Sequence, residues 1–365
     1  MLYLMATNTD YVNGRLTGAH YRFLELVKGL AKTDKVLIIS RGIPQLEGCA
    51  NIIECHIANS DCKYIPDHIA SIVKIVKSLK RIKKQYDFDA AVSFTPFITI
   101  AFGLSGLKNV VSLFREDLIG YHKVIGTNKA KIRYYSFVER LAVKFSKKII
   151  VQCKNDKQCL IERIRNYDEN IAERVYVQIN NANASWMYRN EKRDCKPNQK
   201  TSILFLGEFS NCRKGQGILL PVVGRLLDEG FEIQLLVAGD GKELACYKAK
   251  YAGYKDILFL GRINVKEFIS HVDMLIVPSL IDSCPNTVLE GLNAGVAVYG
   301  ANSGGIPDLL ENPDFIFEPN ENSLELFLRN VLKERKYISD VASQQIVRNR
   351  LTFDWAEKMK GIIDG

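Results

Sequence analysis

Short apolar runs that stop at glycine set the rhythm of this chain. Ile203-Leu204-Phe205-Leu206, Leu235-Leu236-Val237-Ala238 and Ile257-Leu258-Phe259-Leu260 each meet a glycine, at Gly207, Gly239 and Gly261. A fourth run, Asp273-Met274-Leu275-Ile276-Val277, stops at Pro278-Ser279. Apolar stretches of that length read as strands buried on both faces, and the helical stretches beyond them complete βα units of a parallel sheet. The first half repeats the pattern, with strands predicted near Tyr3–Ala6, Val36–Ser40, Ala90–Phe94, Val110–Leu113, Ile149–Val151 and Val175–Ile179. Between them, Ser71–Tyr86 sets Ile72, Val73, Ile75, Val76, Leu79 and Ile82, recurring at three and four, against Lys74, Lys77, Lys80, Arg81, Lys83 and Lys84. That is an amphipathic helix with a basic outer face.

The same pattern divides the chain. A length of 365 residues is too great for one ordinary domain and suits two α/β domains. The first runs over 1–184, a polar linker with Pro197 inside it over 185–200, and the second over 201–343, before a terminal segment at 344–365. No window approaches ~18 consecutive apolar residues, so no transmembrane helix is expected. Met1–Ala6 is an apolar run of strand length without the basic flank and longer core of a signal peptide. The expectation is a cytoplasmic protein. Nine cysteines, an odd number without a Cys-x-x-Cys pair, read as reduced packing residues.

Charge is unevenly shared. Up to Ser185 there are 28 Lys and Arg against 17 Asp and Glu, a balance of +11; the remainder balances at −2, giving the net +9. A basic first domain suits an anionic partner. The Ser71–Tyr86 face, with the basic stretch Lys123–Lys148, suits anionic lipid headgroups at the inner face of a membrane. Nucleic acid is not expected, because no recognition module accompanies the charge.

The segment Val277–Glu290 carries the chemistry. A strand ends, Asp282 lies in the loop, and a helix begins just after Pro285, with Asn286 or Thr287 available to cap it. Glu290 follows Asp282 by eight positions, in the first turn or so of that helix. Free N–H groups and a positive dipole end, flanked by two acids, suit a diphosphate and the hydroxyls of a sugar nucleotide. Lys214, Gly241 and this segment all fall at carboxyl ends of predicted strands, where open sheets bind ligands.

Strand-Gly207, then Lys214-Gly215, Ala238-Gly239-Asp240-Gly241, Phe259-Leu260-Gly261, Pro278-Ser279 and acid-x7-Glu290 closing on Gly304-Gly305 together resemble glycosyltransferase family 4. The resemblance is dense over Ile203–Leu310. In the first half, Arg15-Leu16-Thr17-Gly18-Ala19-His20 is similar to that family's glycine-containing first loop, and Ile149–Cys153, with Gln152, to its last N-terminal strand. The resemblance implies the GT-B architecture: two Rossmann-like, doubly wound domains with the active-site cleft between them, and a terminal helix, through Trp355, that crosses back to the first domain. It implies retaining transfer from a UDP- or GDP-sugar to a lipid-linked or cell-surface polysaccharide acceptor, with no bound metal or other cofactor.

Residue by residue, the resemblance puts Lys214 on the donor diphosphate, Glu290 on the ribose hydroxyls and Asp282 on the donor sugar. These three are the candidates for catalysis. Gly14 and Gly18 allow close backbone approach in the first loop, Gly241 does so near the base, and the amides of Asn286, Thr287 and Val288 face the phosphates or sugar. On the acceptor side, Arg115 and Asp117 follow a strand, with a structural ion pair as the other reading, and His122 is a candidate cleft histidine. The chain also departs from the family. Asp282 replaces the usual Glu, and Glu208 stands where many members carry an Arg that helps hold the diphosphate. Arg213 or Arg262 is then the candidate for the second cation. Those departures keep open a rival of another class, a GT-B scaffold without catalysis. The rival of the same class is a GT-B sugar-nucleotide epimerase, which the acid-x7-Glu layout does not suggest.

Overall fold

The computed structural model describes residues 1–7, 11, 18–56, 67–182 and 200–365. The expected linker at 185–200 and Gly14 therefore lie outside the described residues, apart from Lys200. The chain forms two compact units, one of 1–119, 128–178 and 354–365, the other of 120–127 and 179–353.

The first unit is built on seven parallel strands: β1 (Leu2–Ala6), β2 (Lys35–Ser40), β3 (Ile52–His56), β4 (Ala90–Ser93), β5 (Val110–Phe114), β6 (Lys148–Val151) and β7 (Val175–Val177), in the order β3-β2-β1-β4-β5-β6-β7. β1 lies at the reversal, with Tyr3 opposite Val36 on one side and Ala90 on the other. Tyr3, Leu4, Met5, Val36, Leu37 and Ile38 are fully buried, and each aliphatic side chain so enclosed contributes about 1.5–3 kcal/mol. β3 was not among the strands expected from the sequence. It is an edge strand of half-buried residues that ends in exposed His56, so it lacks the unbroken apolar run that marks its neighbours.

Helices α1 (Gly18–Ala31), α2 (Asp67–Ile82), α3 (Pro96–Leu104), α5 (Lys129–Phe145), α6 (Lys154–Ile164) and α7 (Ile171–Arg174) accompany this sheet. α4 (Leu118–Val124) follows β5 and ends among the residues of the second unit. The chain terminus returns to the first unit as α15 (Trp355–Asp364), capped by Asp354, which accepts from the Glu357 amide at 3.0 Å. α15 packs so closely on α1 that a Cβ on Gly29 would stand 2.2 Å from that of Ala356. Tyr3 donates to the Asp364 carboxylate at 2.7 Å, and the Lys148 ammonium to the Ile362 carbonyl at 2.8 Å.

The second unit holds six parallel strands: β8 (Thr201–Leu206), β9 (Ile233–Ala238), β10 (Ile257–Gly261), β11 (Met274–Val277), β12 (Ala297–Ala301) and β13 (Ile316–Phe317). Their order is β10-β9-β8-β11-β12-β13, so the winding reverses between β8 and β11. Helices α8 (Gln216–Asp228), α9 (Leu244–Lys250), α10 (Val265–Phe268), α11 (Asn286–Asn293), α12 (Ile306–Leu310), α13 (Glu321–Lys333) and α14 (Tyr337–Leu351) complete it. The loops that leave β8 and β11 therefore emerge side by side at a topological switch point, where open α/β sheets take their ligands.

Candidate functional site

Lys214 ends a short 3-10 turn, Cys212–Lys214, in the loop that follows β8. Asn211 caps this turn by accepting from the Arg213 amide at 3.0 Å. Gly215 then turns the chain into α8 with φ +75°, and a Cβ there would lie 1.8 Å from the Pro278 carbonyl oxygen. Only glycine allows both that backbone and that contact. The Leu280 amide donates to the Arg213 carbonyl at 2.8 Å and joins the two loops a second time. Lys214 thereby meets Asp282, with Nζ 2.5 Å from Oδ2 and both side chains largely buried.

Asp282 is fixed from behind. Its carbonyl accepts from the Gly305 amide at 2.9 Å, and a Cβ on Gly304 would stand 2.2 Å from that same oxygen. The Gly304-Gly305 pair thus acts on the acid through its backbone. Beyond Asp282, α11 starts at Asn286 with Pro285 as its N-cap and no side-chain cap. Neither Asn286 nor Thr287 caps the helix as the sequence suggests, because both residues are already inside it rather than ahead of it. The Val288 amide is taken by the Pro285 carbonyl at 3.1 Å. Of the three amides expected to face a ligand, those of Asn286 and Thr287 belong to the first-turn groups that a helix leaves without a carbonyl of its own.

The side chains around these loops point the same way. Oγ of Ser279, Oγ of Ser283, Oδ1 of Asn286, Oγ1 of Thr287 and Oε1 of Gln216 are buried and have no hydrogen-bond partner among the described residues. Buried polar groups are nearly always paired, so five such oxygens on two adjoining loops and the helix starts they lead into mark a place for a ligand or water. Ser279, Ser283 and Gln216 were not singled out in the sequence, since a loop serine or glutamine follows no period. Glu290 keeps part of its surface open. Its carboxyl is nevertheless enclosed enough that desolvation pushes its pKa up to about 7, against the opposing pull of Lys214.

The two candidate replacements for the missing arginine differ in surroundings. Arg262, after β10, binds Asp240 through Nη2 at 2.8 Å and Nε at 3.0 Å, and both side chains are exposed. Asp240 also accepts from the Gly241 amide at 2.7 Å, so this pair closes the loop after β9. Gly241 itself has φ +151° and would place a Cβ 2.4 Å from the Phe209 carbonyl carbon. Arg213 lies beside Lys214, with its guanidinium 5.6 Å from the centre of the Tyr121 ring and 3.9 Å from the Glu208 carboxylate. Glu208 is largely exposed, so its hold on Arg213 is weak.

The remaining candidates have surroundings of their own. Gly18 opens α1 in the first unit. Arg115 lines a cavity of about 160 Å3 in that unit, and burial holds its guanidinium below the usual range. Asp117 is engaged in a buried ion-pair cluster: Arg163 lies 2.9 Å from it and bridges both oxygens of Glu139 at 2.9 Å. His122 is buried, with Nδ1 3.0 Å from the Thr127 hydroxyl. Among the described residues no trio of His, Cys, Asp or Glu is arranged to hold a metal ion.

Residues 200–333 match a family model described as glycosyl transferases group 1. Protein CapJ of Staphylococcus aureus is 27% identical over 144 residues, which are 37% of this chain and 37% of that protein. The chain thus matches well under half the length of that relative. Among solved structures, sucrose-phosphate synthase from Thermosynechococcus elongatus superposes with a TM-score of 0.78 at 14% identity, over 99% of this chain and 98% of that one. Anabaena HepE in complex with UDP and glucose superposes at 0.73 and 14% identity, over 99% and 98%. At that identity the likeness establishes the fold, which is GT-B. No described helix is long and apolar enough to cross a membrane.

Proposed function

We propose that this chain is a retaining glycosyltransferase of family 4. It transfers a sugar from a UDP- or GDP-sugar to a lipid-linked or cell-surface polysaccharide acceptor, without a bound metal. The observation that carries the reading is the Lys214–Asp282 pair set among buried oxygens that lack partners. A cation, two first-turn amides and a row of hydroxyl and amide groups are what a diphosphate and a sugar need, and little else needs all of them at once. The group 1 glycosyltransferase model spans the segment that holds these residues, and the GT-B neighbour HepE was crystallised with UDP and glucose.

In this reading Lys214 stabilises the leaving diphosphate as charge develops on it, which is the interaction an enclosed cation serves best. Asp282 accepts from donor-sugar hydroxyls once the lysine turns to the phosphate. Glu290 accepts from the ribose, and Arg213 is the better placed of the two arginines for a second contact, because Arg262 is held by Asp240. The basic first half of the chain suits an acceptor displayed at an anionic membrane surface.

Calorimetric titration with UDP and GDP, followed by release of nucleoside diphosphate from a panel of donors, tests this. The expected result is binding of one nucleotide and acceptor-dependent release with the anomeric configuration kept. Binding without turnover across a full acceptor set would favour the scaffold, and donor conversion without acceptor the epimerase.

A further inference from the structure

The first unit contains another cavity, of about 620 Å3, that donor chemistry does not use. Its apolar wall is Phe137 and Leu141 of α5 with Ile164 of α6, and its charged groups include Arg140 and Lys144. In a βα unit the helix runs back against its strand, so the ends of α5 and α6 stand at the amino ends of the strands that follow. Ser146 and Lys147 lead from α5 directly into β6, and Arg174 immediately precedes β7. The cavity therefore lies at the amino edge of the sheet. Substrates of open α/β sheets bind at the other edge.

The charges that line it are not equally committed. Arg174 is spent on Asp168 and on the Ser146 carbonyl, to both of which it donates. Arg140 donates from Nη1 to the Tyr167 hydroxyl at 2.6 Å and holds its guanidinium 4.7 Å from that ring's centre. Neither Arg140 nor Lys144 has a carboxylate within ion-pair distance among the described residues. Beside them, Phe137 is 58% exposed and Tyr167 66% exposed, a large apolar surface left in water. Arg133 and Tyr134 continue the same face one turn earlier on α5, both exposed.

Cations without an ion-pair partner, next to open aromatic rings and an aliphatic wall, fit one kind of molecule well. Inorganic phosphate needs the cations and gains nothing from Phe137, Leu141 or Ile164. A neutral lipid needs the wall and leaves Arg140 and Lys144 unanswered. An amphiphile with an anionic headgroup uses both, with rings at headgroup depth and cations on the phosphate. The volume suits a headgroup and the first part of its chains. We propose that this cavity binds an anionic phospholipid of a membrane surface, with Arg140 and Lys144 on the phosphate and the acyl chains against Phe137, Leu141 and Ile164.

The test titrates the full chain with dihexanoyl phosphatidylglycerol below its micelle concentration, beside dihexanoyl phosphatidylcholine and glycerol 3-phosphate. Saturable binding of the first alone is expected. Arg140→Gln with Lys144→Gln removes two phosphate contacts and weakens it by about thirtyfold. Phe137→Ser also weakens it, whereas Lys77→Gln with Lys80→Gln on α2 leaves it unchanged. Unfolding midpoints equal to the parent's establish that each variant is folded, and Lys144→Arg retains binding. Equal binding of glycerol 3-phosphate or of phosphatidylcholine overturns the proposal, as does an equal loss in the α2 variant, which marks diffuse charge attraction. Release of nucleoside diphosphate with a soluble acceptor is unchanged in the Arg140 and Lys144 variant, so failure here stays separate from failure of the transferase reading.

Discussion

Lys214 donates to Asp282 at 2.5 Å across 68 positions of sequence, and that pair closes the switch point between β8 and β11. Each partner occupies the group the other would offer to a donor. Replacing Lys214 by Ala removes the cation from the leaving diphosphate, and turnover should fall about 10²–10³-fold, the usual effect of losing one charge-stabilising group. Asp282→Asn should act in the opposite sense on simple nucleotides. It releases Lys214 and removes a negative charge, so UDP or GDP binds as well or better while sugar transfer drops. Calorimetry and steady-state release read the two effects separately. Unchanged turnover in Lys214→Ala, or nucleotide binding abolished in Asp282→Asn, would sink the assignment.

Glu290 gives the site a pH dependence whose sign is fixed by its environment. Burial raises its carboxyl from the ordinary 4.5 to about 7, so the folded state keeps the proton longer than the unfolded state does. Between those values stability falls as pH rises, and the loss is complete above the folded pKa. Glu290→Gln mimics the protonated acid. In the ligand-free protein it should stabilise at pH about 8 by on the order of 1–3 kcal/mol and have no effect near pH ~4. Chemical denaturation at the two pH values reads the difference directly. A variant equally stable to the parent at both would mean that the carboxyl is solvated.

Much of this architecture was legible because parallel strands announce themselves. β8, β9, β10 and β11 are apolar runs that stop at glycine or proline, and the loops after them had to hold Lys214 and Asp282 at the carboxyl edge. β3 was not legible, since this half-buried edge strand carries Glu54 in its middle and ends at exposed His56, and so loses the unbroken apolar signal. The cap of α11 was misread because Pro285 shifts the helix start onto Asn286 itself. Ser279, Ser283 and Gln216 stand out only once burial shows their oxygens unpaired. The partnership of Asp117 with Arg163 joins a loop to a helix 46 positions on, and no spacing rule links them.

Gly215 tests whether the two loops must touch. Its φ of +75° costs an L-residue about 1–2 kcal/mol wherever it occurs. Gly48 has φ +78° with nothing within 4 Å of its would-be Cβ, so Gly48→Ala isolates that backbone term. Gly215→Ala adds the collision with the Pro278 carbonyl and should cost at least about 2 kcal/mol, with loss of nucleotide binding that Gly48→Ala does not show. Urea midpoints for the two variants decide it. Equal costs with intact binding would mean that the loops part without consequence.

Arg163 holds two buried acids at once, and removing it should be worse than removing either of them. Asp117 and Glu139 are nearly enclosed, and desolvation already raises the Glu139 carboxyl above its ordinary range. Arg163→Met keeps most of the aliphatic packing while leaving both carboxylates without their shared cation. A buried charge stripped of its partner costs about 3–5 kcal/mol, so the first unit should unfold at markedly lower denaturant. The deficit should shrink as pH drops and Glu139, already raised by burial, takes up its proton, because a protonated carboxyl no longer needs the guanidinium. Adding Asp117→Asn and Glu139→Gln to Arg163→Met should recover much of the loss at neutral pH by the same logic. If the single variant unfolds with the parent, or the triple variant unfolds no later than the single one, the cluster is a surface pairing with little share in the fold.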